Sequence, residues 1–221
     1  QPNLLDIAKQ KGYQVALSIE EIQKIGRGSG KTIAIAPNLA AEEAMSYEID
    51  RGEKVSLAEF TRKGIEVLDN QNGFFMMVEG GKVDWACHAN DAATTVKDVM
   101  AFEEAIAEAL KFYAKHPDET LIVVTGDHET GGMTIGFAGT GYKTFFSKLG
   151  GQTLSYEEFD KQIKTYRDQV GASNANLDDW LPALANQFGM NELTAYEKNR
   201  LAQALAFSMI DPPLDRTSRA R

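Results

Sequence analysis

Two short apolar runs decide the fold predicted for this chain: Phe74-Phe75-Met76-Met77-Val78 and Leu121-Ile122-Val123-Val124. Neither run alternates apolar with polar residues, which is typical of strands buried on both faces of a parallel sheet. Between them, residues 92–115 repeat their apolar positions with helical period, and Pro117 follows the end of this pattern. Strand, long helix and strand make a βαβ unit, so the sequence predicts an α/β fold with a mainly parallel sheet flanked by helices.

The flanking regions extend this prediction in two directions. On the N-terminal side, the pattern favours a helix at 4–11 and short strands at 13–17 and 32–35. After about residue 150 only helical patterns continue, which indicates a helical insertion after the last strands. We therefore expect three parts: an α/β region that carries the metal site at 1–150, a helical insertion or cap at 151–210, and an irregular tail at 211–221.

The bulk composition excludes several classes of function. The 221 residues carry a net charge of -9, so no basic surface is available to neutralise a nucleic acid backbone. No apolar run approaches the length of a membrane span. Cys87 is the single cysteine, which rules out an intrachain disulfide. A small phosphate-bearing substrate remains compatible with the negative charge, because bound metal ions supply positive charge locally.

Histidines and carboxylates follow both apolar runs. Glu79, Asp84 and His88 come after the first run, and Asp127 and His128 come after the second. Parallel sheets place their ligands at the carboxyl ends of strands, so these side chains are expected near one another. On a helical turn, residues four apart share one face, which would let Asp84 and His88 reach one cation.

The residue types suggest which metal ions such a site would take. Carboxylate with imidazole suits Zn²⁺ at Asp84 and His88 and at Asp127 and His128, whereas Glu79 offers an oxygen ligand suited to Mg²⁺. A capped turn with a hydrogen-bonded histidine is the alternative for either group alone. Two such groups at two predicted strand ends favour metal binding.

These segments resemble the signature of the alkaline phosphatase family, here its bacterial type. The resemblance is clear over residues 3–136 and weak beyond them. The stretches that carry it are Phe75-Met76-Met77-Val78-Glu79-Gly80-Gly81-Lys82-Val83-Asp84, His88-Ala89-Asn90-Asp91-Ala92, Val123-Val124-Thr125-Gly126-Asp127-His128-Glu129-Thr130-Gly131-Gly132, and Tyr47-Glu48-Ile49-Asp50-Arg51 with the following 57–63.

The resemblance implies roles for individual positions. Asp84 and His88 match two ligands of the first zinc, Asp127 and His128 match two ligands of the second, and Glu79 matches a magnesium ligand. The family uses two zinc ions and one magnesium ion with a serine nucleophile. That serine, the phosphate-binding arginine and the other magnesium ligands precede the part that this chain matches, so the chain holds no catalytic residue of its own. No histidine follows His128 to supply the third ligand of the first zinc.

The expected function is therefore that of a phosphate monoester hydrolase of the alkaline phosphatase type, represented here by an incomplete segment with little activity alone. A phosphodiesterase of the same superfamily is one alternative, and a non-catalytic metal- or phosphate-binding module is another. The resemblance further implies a small phosphate monoester as substrate, a homodimer, and a periplasmic or secreted location in a bacterium.

Overall fold

The computed structural model describes residues 3–134, 136 and 138–210, which fall into two compact units, Gln1–Met133 and Thr134–Arg221. Short 3₁₀ turns connect several of the helices. The first unit contains α1 Leu4–Gln10, β1 Gln14–Ala16, α2 Ile19–Lys24, β2 Thr32–Ala34, α3 Leu57–Leu68, α4 Gly81–His88 and α5 Ala92–Tyr113. The second contains α6 Tyr156–Val170, α7 Leu181–Phe188 and α8 Ala195–Ile210.

The N-terminal elements agree with the sequence prediction. β1 and β2 pair in parallel, with Gln14 opposite Thr32. Between them, the Ser18 hydroxyl accepts the Glu21 N–H while the Glu21 carboxylate accepts the Ser18 N–H, a complete capping box that starts α2. Ile22 of α2 is fully buried and anchors a small core beneath this parallel pair.

The two apolar runs at 74–78 and 121–124 do not form strands, and the prediction that they are buried on both faces was wrong. In the first run burial alternates instead: Phe75 is 89% exposed and Met77 is 70% exposed, whereas Phe74, Met76 and Val78 are partly buried. Phe74, for example, packs edge-on against Phe112 of α5 with ring centroids 5.5 Å apart. The second run is mostly exposed, with Leu121 at 86% and Val123 at 73%.

The physical reason is the lack of a partner. A strand requires a neighbour for its backbone N–H and C=O groups, and β1 with β2 makes the only sheet within the described residues. The predicted combination of a parallel sheet with flanking helices is nevertheless confirmed, because the described residues form many helices around a small parallel sheet.

A buried polar cap fixes the junction between α4 and α5. The Asp91 carboxylate accepts the Thr94 N–H at 3.2 Å and the Thr94 hydroxyl at 2.8 Å, and the Thr94 side chain is fully buried. The Thr95 hydroxyl donates to the Asp91 carbonyl at 2.9 Å. This capping satisfies otherwise unpaired backbone donors at the start of α5. The Asp91 N–H donates back to the Ala86 carbonyl of α4 at 3.0 Å, which ties the two helices together. Cys87 near the end of α4 is half-buried, with its Sγ 3.7 Å from the Thr95 hydroxyl.

The second unit is helical, as the sequence predicts for this region. Trp180 packs edge-on against Phe159 of α6 at 5.4 Å and against Tyr166 at 5.2 Å, and Leu205 of α8 completes that core. The predicted domain boundary at 150 stays a prediction, and the predicted tail at 211–221 lies outside the described residues. Within the described residues, no helix is both long enough and apolar enough to cross a membrane.

Candidate metal centre

α4 carries the first pair of predicted ligands. Its eight residues place Asp84 and His88 one turn apart on the same face, and the Asp84 Oδ2 lies 3.5 Å from the His88 Nε2. Two ligands of a tetrahedral zinc, each about 2 Å from the ion, are about 3.3 Å apart. The separation of this pair therefore suits two ligands of one ion.

The loop 125–132 carries the second pair. The Asp127 Oδ2 lies 3.5 Å from the His128 Nε2, again close to the separation of two ligands of one zinc. The Asp127 side chain is 91% exposed, so nothing in the described chain immobilises it beyond its neighbour. The His128 ring is better fixed, because its Nδ1 lies 3.2 Å from the Glu129 carbonyl oxygen.

The two pairs approach each other. The Asp84 Oδ1 lies 4.0 Å from the His128 Nε2, although the two residues come from different elements of the chain. The Thr130 hydroxyl donates to the same Asp84 oxygen at 2.7 Å and lies 3.0 Å from the His128 Nδ1. Asp84, His88, Asp127 and His128 are thereby brought into one surface region, as the sequence predicts.

Gly131 explains how the loop can come so close to α4. Its φ of +78° lies in the left-handed region that favours glycine. A Cβ built on Gly131 would lie 2.3 Å from the backbone oxygen of Cys87 in α4, closer than van der Waals contact allows. Only glycine can therefore occupy this position without moving the loop away from the helix.

The carboxylates and imidazoles of the two pairs are suitable ligands for a cation, but they do not complete a metal site. A neutral imidazole turned with its Nε2 lone pair towards two carboxylates is favourable when a cation lies between them. Within the part of the chain that the structure describes, no three His, Cys, Asp or Glu side chains gather into a complete metal site. Each pair therefore offers two potential ligands.

Glu79 lies apart from these pairs, at the start of α4. It lines a cavity of about 270 Å³ together with Glu48, Lys82, Trp85 and Asp98. The Lys82 ammonium sits 4.2 Å from the Tyr47 ring centroid and 4.0 Å from that of Trp85. Trp85 thus lines the cavity and makes a cation–π contact with the Lys82 ammonium.

Asp98 is the buried carboxyl of this cavity. Its burial raises the pKa to about 7, and the negative charges of Glu48 and Asp50 act in the same direction. The Glu48 backbone N–H, which donates to Asp98 at 3.3 Å, and the Lys82 ammonium lower the pKa in part. A carboxyl whose pKa is raised to about 7 therefore lines this cavity beside the start of the helix that carries Asp84.

Comparison with known proteins identifies the family. The family model described as "Alkaline phosphatase" matches residues 1–190, most of the chain. The chain belongs to the alkaline phosphatase family. Both histidine–carboxylate pairs and the Thr130–Asp84 contact lie within the matched residues.

The similarity to individual alkaline phosphatases covers only part of each. The chain is 36% identical to the repressible alkaline phosphatase of Saccharomyces cerevisiae over 141 residues, which are 59% of this chain and 25% of the yeast protein. It is 37% identical to alkaline phosphatase 4 of Bacillus subtilis over 139 residues, 62% of this chain and 29% of that protein. These matches span less than a third of the relatives' length.

Solved structures of alkaline phosphatases share the fold over nearly the whole chain. The cold-active enzyme from a psychrophilic Shewanella species superposes with a TM-score of 0.71 at 29% identity, covering 93% of this chain and 48% of that one. The Thermus thermophilus alkaline phosphatase gives a TM-score of 0.68 at 25% identity, covering 96% and 43%. The chain therefore spans about half the length of these structures.

Thr130 and Gly131 are the residues of this alkaline phosphatase segment whose contribution the sequence did not reveal. Threonine and glycine carry no metal-binding signal of their own, so only the fold shows that one links the two pairs and the other permits their approach. The pair of adjacent glycines after His128 was the available clue, because glycines let a backbone turn sharply in a crowded place.

Proposed function

We propose that this chain supplies the metal-binding half of a phosphate monoester hydrolase. The observation that carries the proposal is the approach of the loop 125–132 to α4, which places the His128 Nε2 4.0 Å from the Asp84 Oδ1. A site whose ligands come from two separate elements is difficult to explain as two unrelated capped turns. Family membership adds the reaction class, since the relatives are named alkaline phosphatases.

In this proposal each side chain has a defined task. Asp84 and His88 hold one zinc, Asp127 and His128 hold a second, and Glu79 binds magnesium at the edge of the cavity. When bound, the metal ions supply the positive charge that stabilises the attacking and leaving oxygens of phosphoryl transfer. The chain's own contribution is to position these side chains. The cap at Asp91 and the close approach of Gly131 to α4 do this.

The nucleophile belongs to the part of the family that this chain does not span. We propose that a serine and a phosphate-binding arginine outside these residues act on the phosphate ester, so that the chain alone hydrolyses little or none. By the same resemblance we propose a homodimer that is periplasmic or secreted. Analytical ultracentrifugation and cell fractionation of the full-length protein test these two points, and a cytoplasmic monomer would contradict both.

A graft tests the function directly. The part of this chain that matches Bacillus subtilis alkaline phosphatase 4 replaces the corresponding part of that protein. We expect the folded, zinc-loaded chimera to hydrolyse an aryl phosphate monoester, and Asp84→Ala to lower kcat/KM by at least about a hundredfold. His116→Ala is the matched control, because the His116 ring packs on Phe112 away from the site.

The same assay separates the alternatives. Circular dichroism and gel filtration establish first that the chimera is folded. A folded chimera that prefers an aryl diester would replace the monoesterase by a phosphodiesterase of the same superfamily. A folded chimera that binds zinc and cleaves neither ester would leave a non-catalytic metal-binding module.

A further inference from the structure

The Thr130 hydroxyl touches both proposed half-sites. It donates to the Asp84 Oδ1 at 2.7 Å, and its oxygen lies 3.0 Å from the His128 Nδ1. Asp84 belongs to the pair on α4, whereas His128 belongs to the pair on the loop. The Thr130 side chain therefore links the two pairs by hydrogen bonds, without any ligand that is common to both pairs.

The direction of these hydrogen bonds follows from proton counting. A hydroxyl has one proton, and donating it to a carboxylate is the stronger, charge-assisted choice. The Thr130 oxygen then presents a lone pair to the His128 Nδ1, which must carry a proton. The Glu129 carbonyl, 3.2 Å from the same nitrogen, makes the same demand because it can only accept.

The consequence is a fixed tautomer. With a proton on Nδ1, the neutral His128 ring presents the lone pair of Nε2, and this atom lies 3.5 Å from the Asp127 Oδ2 and 4.0 Å from the Asp84 Oδ1. A metal-binding histidine is characteristically oriented in this way, with its second ring nitrogen donating to an outer oxygen.

We propose that Thr130 is a positioning residue that couples the two half-sites. Its hydroxyl holds the Asp84 carboxylate and the His128 ring in register, so that Oδ2 of the first and Nε2 of the second stay available to metal ions. The inference deepens the proposed function and rests on it for the identity of the ions. The hydrogen-bonded link itself requires no metal.

Two properties of the position suit this task. Threonine is branched at Cβ, so its χ1 angle is restricted and the hydroxyl direction is well defined. The following residue, Gly131, fixes the distance between the loop and α4 through its close approach to the Cys87 oxygen. A side chain attached at this point can therefore control the separation of Asp84 from His128.

The test compares Thr130→Val, which keeps the shape and removes the hydroxyl, with Thr130→Ser, which keeps the hydroxyl. Thr125→Val is the control, because the Thr125 hydroxyl of the same loop bonds only locally to the Gly126 carbonyl in the described contacts. Long-range ¹H–¹⁵N spectra of the metal-free chain in alkaline buffer report which nitrogen of the His128 ring is protonated. Competition with a chromogenic chelator reports zinc affinity.

We expect a predominant Nδ1–H form in the wild type, in Thr130→Ser and in Thr125→Val, and a smaller Nδ1–H fraction in Thr130→Val, where the Glu129 carbonyl is the acceptor left for this proton among the described contacts. Zinc affinity should fall roughly 10–100-fold in Thr130→Val alone. An unchanged His128 tautomer in Thr130→Val would overturn the inference whatever zinc does. If the tautomer shifts but no variant binds zinc, the link stands and the proposed metal site fails instead.

Discussion

Replacing Gly131 with alanine is expected to weaken zinc binding by at least tenfold and to lower the free energy of unfolding of the first unit by about 2 kcal/mol or more. The left-handed backbone at φ +78° accounts for about 1 kcal/mol of this, because a Cβ is disfavoured there. The larger part comes from the new Cβ, which would lie 2.3 Å from the Cys87 oxygen and must push the loop away from α4.

Gly132 provides a matched control for this prediction. Its φ of +65° is also left-handed, but a Cβ built there meets only the Glu129 Oε1 at 3.9 Å, an ordinary contact. Gly132→Ala therefore carries the backbone strain without the clash. Urea unfolding and zinc titration of both variants separate the two effects. Equal losses of zinc affinity in the two variants would show that the close approach to α4 is irrelevant to the site.

The stability of the first unit should decrease as pH rises from about 4 to 7, because of Asp98. Its pKa is about 7 in the folded chain, above the usual range of an aspartate, so the folded state binds more protons than the unfolded state across this interval. At about 1.4 kcal/mol per pH unit, the loss reaches up to ~4 kcal/mol and is complete once the pH exceeds the folded pKa.

Asp98→Asn removes this dependence while keeping an oxygen that can accept the Glu48 N–H. Relative to the wild type, the variant should gain stability steadily between pH 4 and pH 7, measured by urea unfolding with a chelator present. Asp118→Asn, at an exposed carboxylate, is the control and should follow the wild-type curve. A constant difference between Asp98→Asn and the wild type at all pH values would show that Asp98 titrates normally.

Local signals in the sequence predicted local structure well. The helix predicted at 4–11 corresponds to α1, and the long helical pattern after residue 92 corresponds to α5. Spacing of four residues predicted that Asp84 and His88 share a helix face, and they lie 3.5 Å apart on α4. These features depend on residues close in sequence, which a periodic pattern records directly.

Features that depend on distant partners could not be predicted in the same way. The apolar run Phe74–Val78 has the composition of a strand buried on both faces, yet Phe75 is 89% exposed because strand formation requires a neighbouring strand. The composition of a segment indicates that it could form a buried strand, but it does not show whether a neighbouring strand is present to pair with it. The prediction that this run is a strand buried on both faces was therefore wrong.

The candidate site combines both cases. Its carboxylates and histidines were predicted from residue type, and their approach was predicted from the rule that parallel strands end at one edge of a sheet. In the structure the approach depends instead on the Thr130 hydroxyl and on the absent side chain of Gly131. A hydrogen bond between residues 46 positions apart leaves no pattern in a single sequence, and neither does a close contact that excludes a Cβ at Gly131.

The central claim is that two side-chain pairs form zinc half-sites, and zinc titration of the purified chain tests it most directly. The wild type is compared with Asp127→Ala/His128→Ala and with His116→Ala, which changes the remaining histidine outside the site. We predict weak binding of two zinc ions by the wild type and by His116→Ala, and the loss of one ion from the double variant, because each half-site offers two ligands where stable sites use three or four. Equal zinc binding by the double variant and the wild type, or no binding by either, would contradict the account.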